Sequence, residues 1–269
     1  MASGSESPVL VDDQDSVRVL TLNRPGRANA WGADMAEALC IELLRAQTDN
    51  AVRACVLTGA GDRFSSGADL GAQPDPNTRL DTGLRAIHDG ANPTFAALLA
   101  FEKPIVAAVR GYAIGAGFLV ALCCDVILGS PTAQFALPQV SLGLLPAYGG
   151  LPRLAQWVGR GRALEIGLLG RRVAAEEAHA IGILASISEE QSLIADATSI
   201  ARRLGAMPPL AVKLAKESLT LALESGSVRV SASADLYRFL CLQGTSETQE
   251  AQATWRERRA SESRSGSDR

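Results

Sequence analysis

RGYAIGAGFLVALCCDVILGSPTAQFALPQVSLGLLPAYGG, from Arg110 to Gly150, decides how the rest of the chain is read. A β-branched apolar run, Ile105 to Val109, leads into it. Gly111, Gly115, Ala116 and Gly117 then crowd a turn that opens on a second apolar run, Phe118 to Cys124. The pattern predicts a strand, a small-residue turn and a buried helix. A helix leaves its first amides without internal partners and carries positive potential there, so a glycine-lined helix start suits an anion or a polarised carbonyl oxygen. The Ala116 amide is the one aimed at such an oxygen. The same small residues would also serve close packing of helix on strand, and spacing alone leaves both readings open. A dinucleotide fingerprint fits less well, because Val120 stands where the third glycine of Gly115-x-Gly117 should be.

Composition bounds the chain around this stretch. With 269 residues, 47% hydrophobic and 20% charged, it can bury a full core and needs no more than one domain with appendages. A formal net charge of -3 argues against a nucleic-acid binder, so a polyanionic ligand would require local positive charge. The five cysteines are odd in number and sit mostly inside apolar runs, as reduced core thiols do. The start, MASGSESPVL, lacks the basic and apolar regions of a secretory signal. The longest apolar stretch, Gly111 to Cys124, is too short to span a bilayer. No membrane association and a cytoplasmic location are therefore expected.

Along the chain, Val9–Val11 and Val17–Leu22 read as a hairpin, Asn23–Ala30 as a loop, Asp34–Arg45 as a helix and Ala54–Thr58 as a buried strand. Gly59–Gly67 is a glycine-rich crossing, and Ser66-Gly67-Ala68-Asp69 reads as a turn with Asp69 capping the next segment. Ala72–Asp81 has no apolar period. A helix is expected over Leu84–Phe101, carrying His88. Past the central run, two helices broken at Gly159-Arg160-Gly161 are expected, then a short helix Ala174–Ala180, a strand Ile183–Ile187 and a capping box at Ser188–Gln191. Four more helices are expected, over Ile194–Leu204, Pro209–Glu224, Arg229–Gln243 and Thr248–Arg258. The expected organisation is a mixed α/β core over 8–187 and a helical C-terminal segment over 188–258, with 1–7 and 259–269 as disordered tails. His179 lacks the HExxH zinc pattern, and neither a G-x-S-x-G elbow nor clustered metal ligands is present.

The combination of Leu22-Asn23-Arg24-Pro25, Asn29-Ala30, Phe64-Ser65-Ser66-Gly67-Ala68-Asp69-Leu70, Lys103 to Val109, Gly111 to Gly117, Cys124-Asp125, Phe135, Pro138, Leu142-Gly143, Pro146, Gly149-Gly150 and Arg153-Leu154 is specific. Over Val17 to Arg259 the chain resembles the crotonase family, the enoyl-CoA hydratase and isomerase superfamily. The resemblance implies a crotonase-type ββα spiral core and a trimer or dimer of trimers, with the C-terminal helices packing between subunits. It implies an acyl-CoA thioester as substrate and no resident cofactor. The backbone amides of Ala68 and Ala116 would form an oxyanion hole for the thioester oxygen. Ala28, Ala30, Ser66, Asp69 and Leu70 would lie along the CoA; Arg24, Arg27 and Arg63 could approach its phosphates, with ordinary solvated arginines as the competing reading.

One departure from the family pattern matters most. Hydratases of the family carry glutamates at the positions matching Leu119 and Gln139, and other members carry an acid near Ala147. Losing a general acid or base removes about 10²- to 10⁴-fold in rate, so ordinary hydration should be weak or absent. Gln139 could orient a water, and Tyr148 offers a phenol whose pKa a nearby amide or cation would lower. Plain pocket wall and plain packing are the competing readings of these two residues. The expected function is an acyl-CoA enzyme of the hydratase/isomerase type that stabilises a thioester enolate without the glutamate pair. The alternative is a non-catalytic acyl-CoA carrier on the same fold.

Overall fold

The computed structural model describes residues 7–69 and 92–266. Their contacts fall into two units, the first ending at Gly205 and the second beginning at Ala206.

The first unit opens with the expected hairpin, β1 (Val9–Gln14) antiparallel to β2 (Val17–Leu22). A short 3-10 turn, Pro25–Arg27, precedes α1 (Ala33–Thr48), and β3 (Ala54–Gly59) lies parallel to β2. After α2 (Asn92–Leu99) come β4 (Ile105–Val109), β5 (Tyr112–Ile114), α3 (Ala116–Leu122), β6 (Val126–Gly129) and β7 (Gln134–Ala136). A turn at Val140–Leu142 leads to α4 (Gly150–Leu169), β8 (Val173–Ala174), α5 (Ala175–Ala180), β9 (Ser186–Ile187) and α6 (Leu193–Gly205). The large sheet has the order β1-β2-β3-β4-β6-β9 and the small one β5-β7-β8. The chain coils between them, β4 leading to β5 and β6 to β7, which is the spiral that the sequence leads one to expect.

Burial explains the strand sequences. Every residue of β3 and β4 is buried, as in a parallel sheet covered on both faces, so these strands read as continuous apolar runs. Side chains alternate between the faces. Ala54 and Val56 of β3 and Val106 and Ala108 of β4 pack with Leu193, Ala197 and Ala201 of α6. Cys55, Leu57, Ile105 and Ala107 join the larger cluster on the other face, which holds α1, α2 and α3.

The structure differs from the sequence reading at several points. α6, grouped by the sequence with the helical end, closes one face of the sheet. The strand expected over Ile183–Ile187 shrinks to β9, and β5 to β8 escape a sequence reading because two to four residues carry almost no periodicity. Ser188 caps no helix: its N–H donates to Gly129 O, and α6 starts later, at Leu193. Within α4, Gly159 adopts φ 77°, the break foreseen at Gly159-Arg160-Gly161. The expected helix start at Leu84, His88, Leu70 and the segment Ala72–Asp81 lie outside the described residues.

The second unit consists of α7 (Pro209–Ser225), α8 (Val228–Gln243) and α9 (Ser246–Gly266). The Ser218 hydroxyl donates to Asp235, joining α7 to α8. α9 continues to Gly266, where the sequence suggests an unstructured tail; its Ala, Glu and Arg content favours helix even with little to bury. Among the described residues no helix is long and apolar enough to cross a membrane.

Candidate active site

The site grows out of one pairing. Past β3, the chain returns as an extended segment in which Ser65 bridges Ala113 of β5 in parallel, with Ser65 N–H donating to Tyr112 O at 2.8 Å and Ile114 N–H to Ser65 O at 3.0 Å. Ala68 and Ala116 each lie three residues on from these partners, past Gly67 and Gly115. Close approach requires glycine on both sides. A methyl group on Gly117 would fall 2.6 Å from Ser65 Cβ, and one on Gly67 would fall 2.6 Å from Ile114 O and 3.4 Å from the Ala116 nitrogen. Gly67, at φ 89°, and Gly115, at φ 53°, also hold backbone conformations that side chains rarely tolerate.

Neither alanine amide is spent on the neighbouring strand or helix. Ala68 bridges Trp31, but the bonds run from Trp31 N–H to Gly67 O and from Asp69 N–H to Trp31 O, so Ala68 N–H faces away from Trp31. Ala116 is the first residue of α3, and its N–H has no intrahelical acceptor. α3 spans seven residues, so aligned peptide dipoles add little; the orphan amide is what this helix start offers.

A second loop buttresses the first. Asn29, fully buried at φ 51°, accepts from Arg24 N–H and donates to the carbonyls of Ala60 and Arg63. Its own carbonyl accepts from the Ser65 hydroxyl, which in turn accepts from Gly67 N–H. Asparagine tolerates the left-handed region better than most residues, which suits it to this post. Ala28 shares that conformation, and its carbonyl accepts from Ser66 N–H at 2.9 Å. Arg27 pairs with Asp69 at 3.1 Å, Arg24 with Asp34 at 3.0 Å, and Ala30 is buried beside them. The expected CoA-contacting residues Arg24, Arg27, Ala28, Ala30, Ser66 and Asp69 thus occupy two adjoining loops. Arg63 instead lies over the Tyr112 ring. In the sequence Asn29 is part of a motif without a role; its buried, fully used carboxamide is visible only in three dimensions.

Three described residues expected beside the amides, Leu119, Gln139 and Tyr148, are uncharged. Leu119 is 2% exposed and packs where Gly150 passes, since a methyl there would come 2.9 Å from Leu119 Cδ2. Gln139 reaches toward Gly115, with Nε2 3.4 Å from a methyl placed on that glycine, and its Oε1 is buried without a hydrogen-bond partner. Tyr148, at φ 54°, stacks on Phe95 with ring centroids 4.4 Å apart. The lowered pKa expected for Tyr148 is corrected here: burial pushes the phenol above its ordinary value. Ala147 is exposed. His179, also exposed, has Nδ1 3.0 Å from Leu184 O on the far helix α5. Nothing in the sequence singles out Phe95 or ties it to Tyr148 across more than fifty positions.

Comparison with known proteins gives the family. The family model described as enoyl-CoA hydratase/isomerase matches residues 12–264. The 2,3-dehydroadipyl-CoA hydratase of Escherichia coli K12 is 36% identical over 225 residues, 82% of this chain and 86% of that protein. The 1,2-epoxyphenylacetyl-CoA isomerase of the same organism is 34% identical over 216 residues, covering 80% and 82%. The crystal structure of an enoyl-CoA hydratase from Bacillus anthracis superimposes with a TM-score of 0.86 at 27% identity, covering 93% of this chain and 96% of that one. With a match across nearly the whole sequence and the spiral fold to go with it, the chain belongs to the enoyl-CoA hydratase/isomerase family, the crotonase superfamily.

Proposed function

We propose that this protein binds a coenzyme A thioester with the acyl carbonyl oxygen between the N–H groups of Ala68 and Ala116. Negative charge grows on that oxygen as a proton leaves the adjacent carbon or as a nucleophile adds at the next one. Pre-aligned donors stabilise such charge by about 3 to 4 kcal/mol each. The observation that supports the reading is the parallel bridge of Ser65 with Ala113, together with the close approach of Gly67 to the Ala116 nitrogen. Arg24 and Arg27 are the cations proposed for the CoA phosphates, which would compete with Asp34 and Asp69 for them. Backbone atoms of Ala28, Ala30, Ser66 and Asp69 complete that half, and the thioester is a substrate rather than a resident cofactor.

The reaction proceeds without the family's glutamate pair, since Leu119 and Gln139 occupy those positions. A neutral amide accepts a hydrogen bond but takes no proton, so Gln139 Oε1 holds a water or a substrate hydroxyl in place. Tyr148, kept protonated by its burial, donates. Ordinary enoyl-CoA hydration is therefore slow, and the enzyme's own reaction exploits enolate stabilisation. The relatives named above include a hydratase and an isomerase, on dehydroadipyl and epoxyphenylacetyl thioesters, so family alone leaves the acyl group open. The apolar wall at Leu119 favours the second reading, a non-catalytic acyl-CoA carrier.

One experiment separates these readings. Turnover of crotonyl-CoA and a broad thioester panel is measured beside acyl-CoA affinity by calorimetry. Slow crotonyl-CoA hydration with turnover of another thioester supports the enzyme, and tight binding with no turnover supports the carrier. Rapid hydration of crotonyl-CoA sinks the claim that the missing carboxylates matter. We further propose cytoplasmic homotrimers, alone or in pairs, joined through the second unit. Val228, Leu236, Tyr237, Phe239 and Leu240 there each leave more than half their surface exposed, an apolar area suited to subunit contact. Sedimentation as a monomer at micromolar concentration would rule that assembly out.

A further inference from the structure

Glycine at positive φ carries no steric strain, but it fixes nothing either. Gly67 sits at φ 89° one residue before Ala68, so other groups must hold the direction of the Ala68 N–H. Two peptide planes meet at Gly67, and each is tied down from outside. The plane after it is held by its carbonyl, which accepts from Trp31 N–H at 2.7 Å. That peptide is trans, so its N–H, the Ala68 amide, points the opposite way from the bonded carbonyl. The plane before it is held by its N–H, which donates to Ser65 Oγ at 3.2 Å.

Ser65 is equipped for that task. It is fully buried, and its hydroxyl donates to Asn29 O at 2.7 Å, which leaves the oxygen's lone pairs to accept from Gly67 N–H. Asn29 is itself pinned by side-chain bonds to Arg24 N–H, Ala60 O and Arg63 O, so the hydroxyl hangs from a fixed point. The segment carrying Ala116 lies against it as well: a methyl on Gly117 would fall 2.8 Å from Ser65 Oγ. Ser65 also pairs through its backbone, its N–H with Tyr112 O and its carbonyl with Ile114 N–H. An alanine would keep both of those bonds. What only the hydroxyl adds is the link from Asn29 O to Gly67 N–H.

We propose that Ser65 is a positioning residue: its hydroxyl, held by Asn29, locks the peptide before Gly67 and so aims the Ala68 N–H at the acyl oxygen. This rests on the reading that the thioester oxygen lies between Ala68 and Ala116. Ser65 itself touches no ligand and moves no proton. Without the hydroxyl the peptide before Gly67 is free to turn, the glycine offers no resistance, and the Ala68 N–H drifts off the line to the oxygen. Hydrogen bonds weaken steeply as their angle closes, so the loss falls on polarisation of the thioester. The nucleotide loop keeps the three side-chain bonds of Asn29 and with them its grip on CoA.

Infrared spectra of bound butanoyl-CoA, isotopically labelled at the carbonyl carbon, test this, because hydrogen bonding lowers the C=O stretching frequency. The wild-type complex should show the band below its position in water. Ser65→Ala should lose most of that shift while calorimetric affinity for free CoA stays unchanged. For any thioester the wild type converts, kcat should fall about 10- to 100-fold with KM little altered, short of the loss of a whole donor. Ser65→Cys carries a weaker donor and acceptor, so its shift should be intermediate, and it decides if the alanine variant fails to fold. In the unaltered protein Gly67 N–H should exchange with deuterium as slowly as the amides of β4. A full shift in the folded variants, free-CoA affinity lost together with the shift, or Gly67 N–H exchanging like an open loop overturns the proposal and leaves the thioester site standing. A wild-type complex without the shift, or no binding of butanoyl-CoA, overturns the site itself.

Discussion

The two sides of the candidate site are made of different material. One side is backbone: Ala68 and Ala116, delivered by a strand bridge and by glycines that permit contacts no side chain could. The other is side chain: Leu119, Gln139 and Tyr148, all uncharged. The backbone side depends on register and close approach, which almost any substitution at Gly67 or Gly117 would spoil. The side-chain side can change chemistry without moving the backbone. On the proposed reading, polarisation and proton transfer are separable properties of this site, since one is assigned to backbone and the other to side chains.

The largest effect should come from restoring what the side-chain half lacks. A Leu119→Glu/Gln139→Glu double variant is expected to raise crotonyl-CoA hydration by about 10²- to 10⁴-fold, the usual contribution of general acid–base groups. If it melts cooperatively, binds acyl-CoA and stays inert, the contrast between the halves is mistaken. Next, Gly67→Ala attacks the backbone half through strain at φ 89° and a clash with Ile114 O. Turnover should fall about 10²- to 10³-fold, as on losing one oxyanion donor; for a pure binder, the affinity gap between acyl-CoA and free CoA should close. An unchanged value in that assay would put the polarising donors elsewhere.

A third variant probes the frame behind the amides. Asn29→Ala removes three buried side-chain hydrogen bonds and should lower unfolding free energy by about 2 to 4 kcal/mol in urea titration. A loss below about 0.5 kcal/mol would mean that the loop is held by other contacts. The smallest effect concerns pH. Burial raises the Tyr148 pKa in the folded state, so its contribution is fully present below the unfolded value of about 10 and is lost as pH climbs through the folded value. Tyr148→Phe should therefore flatten the loss of stability above about pH 10. A wild-type rate profile with a limb near neutrality that vanishes in the same variant would show the phenol titrating where burial should forbid it.

Much of the frame is readable without coordinates. β3 and β4 announce themselves because strands buried on both faces need apolar runs, and α7 because a long helix repeats its pattern several times. The short strands β5 and β7 are not readable, although β5 carries the bridge that builds the site. Two or three residues hold too little pattern, and their pairing is decided by partners far away in the chain. The site divides in the same way. Ala68, Ala116, Leu119 and Gln139 are found through motif resemblance. The direction of the Tyr148 pKa comes out wrong from sequence, since desolvation depends on what surrounds a group in space rather than on its neighbours along the chain.

By itself, then, the sequence determined the order of the main elements and the glycines available for close approach. These depend on local composition and periodicity, which act over a few residues. Tertiary structure alone decided that Ser65 meets Ala113, that α6 rather than solvent covers one face of the sheet, and that Phe95 packs against both Trp31 and Tyr148. Such contacts join segments tens of residues apart, and they form only once burial of the whole core selects one packing among many.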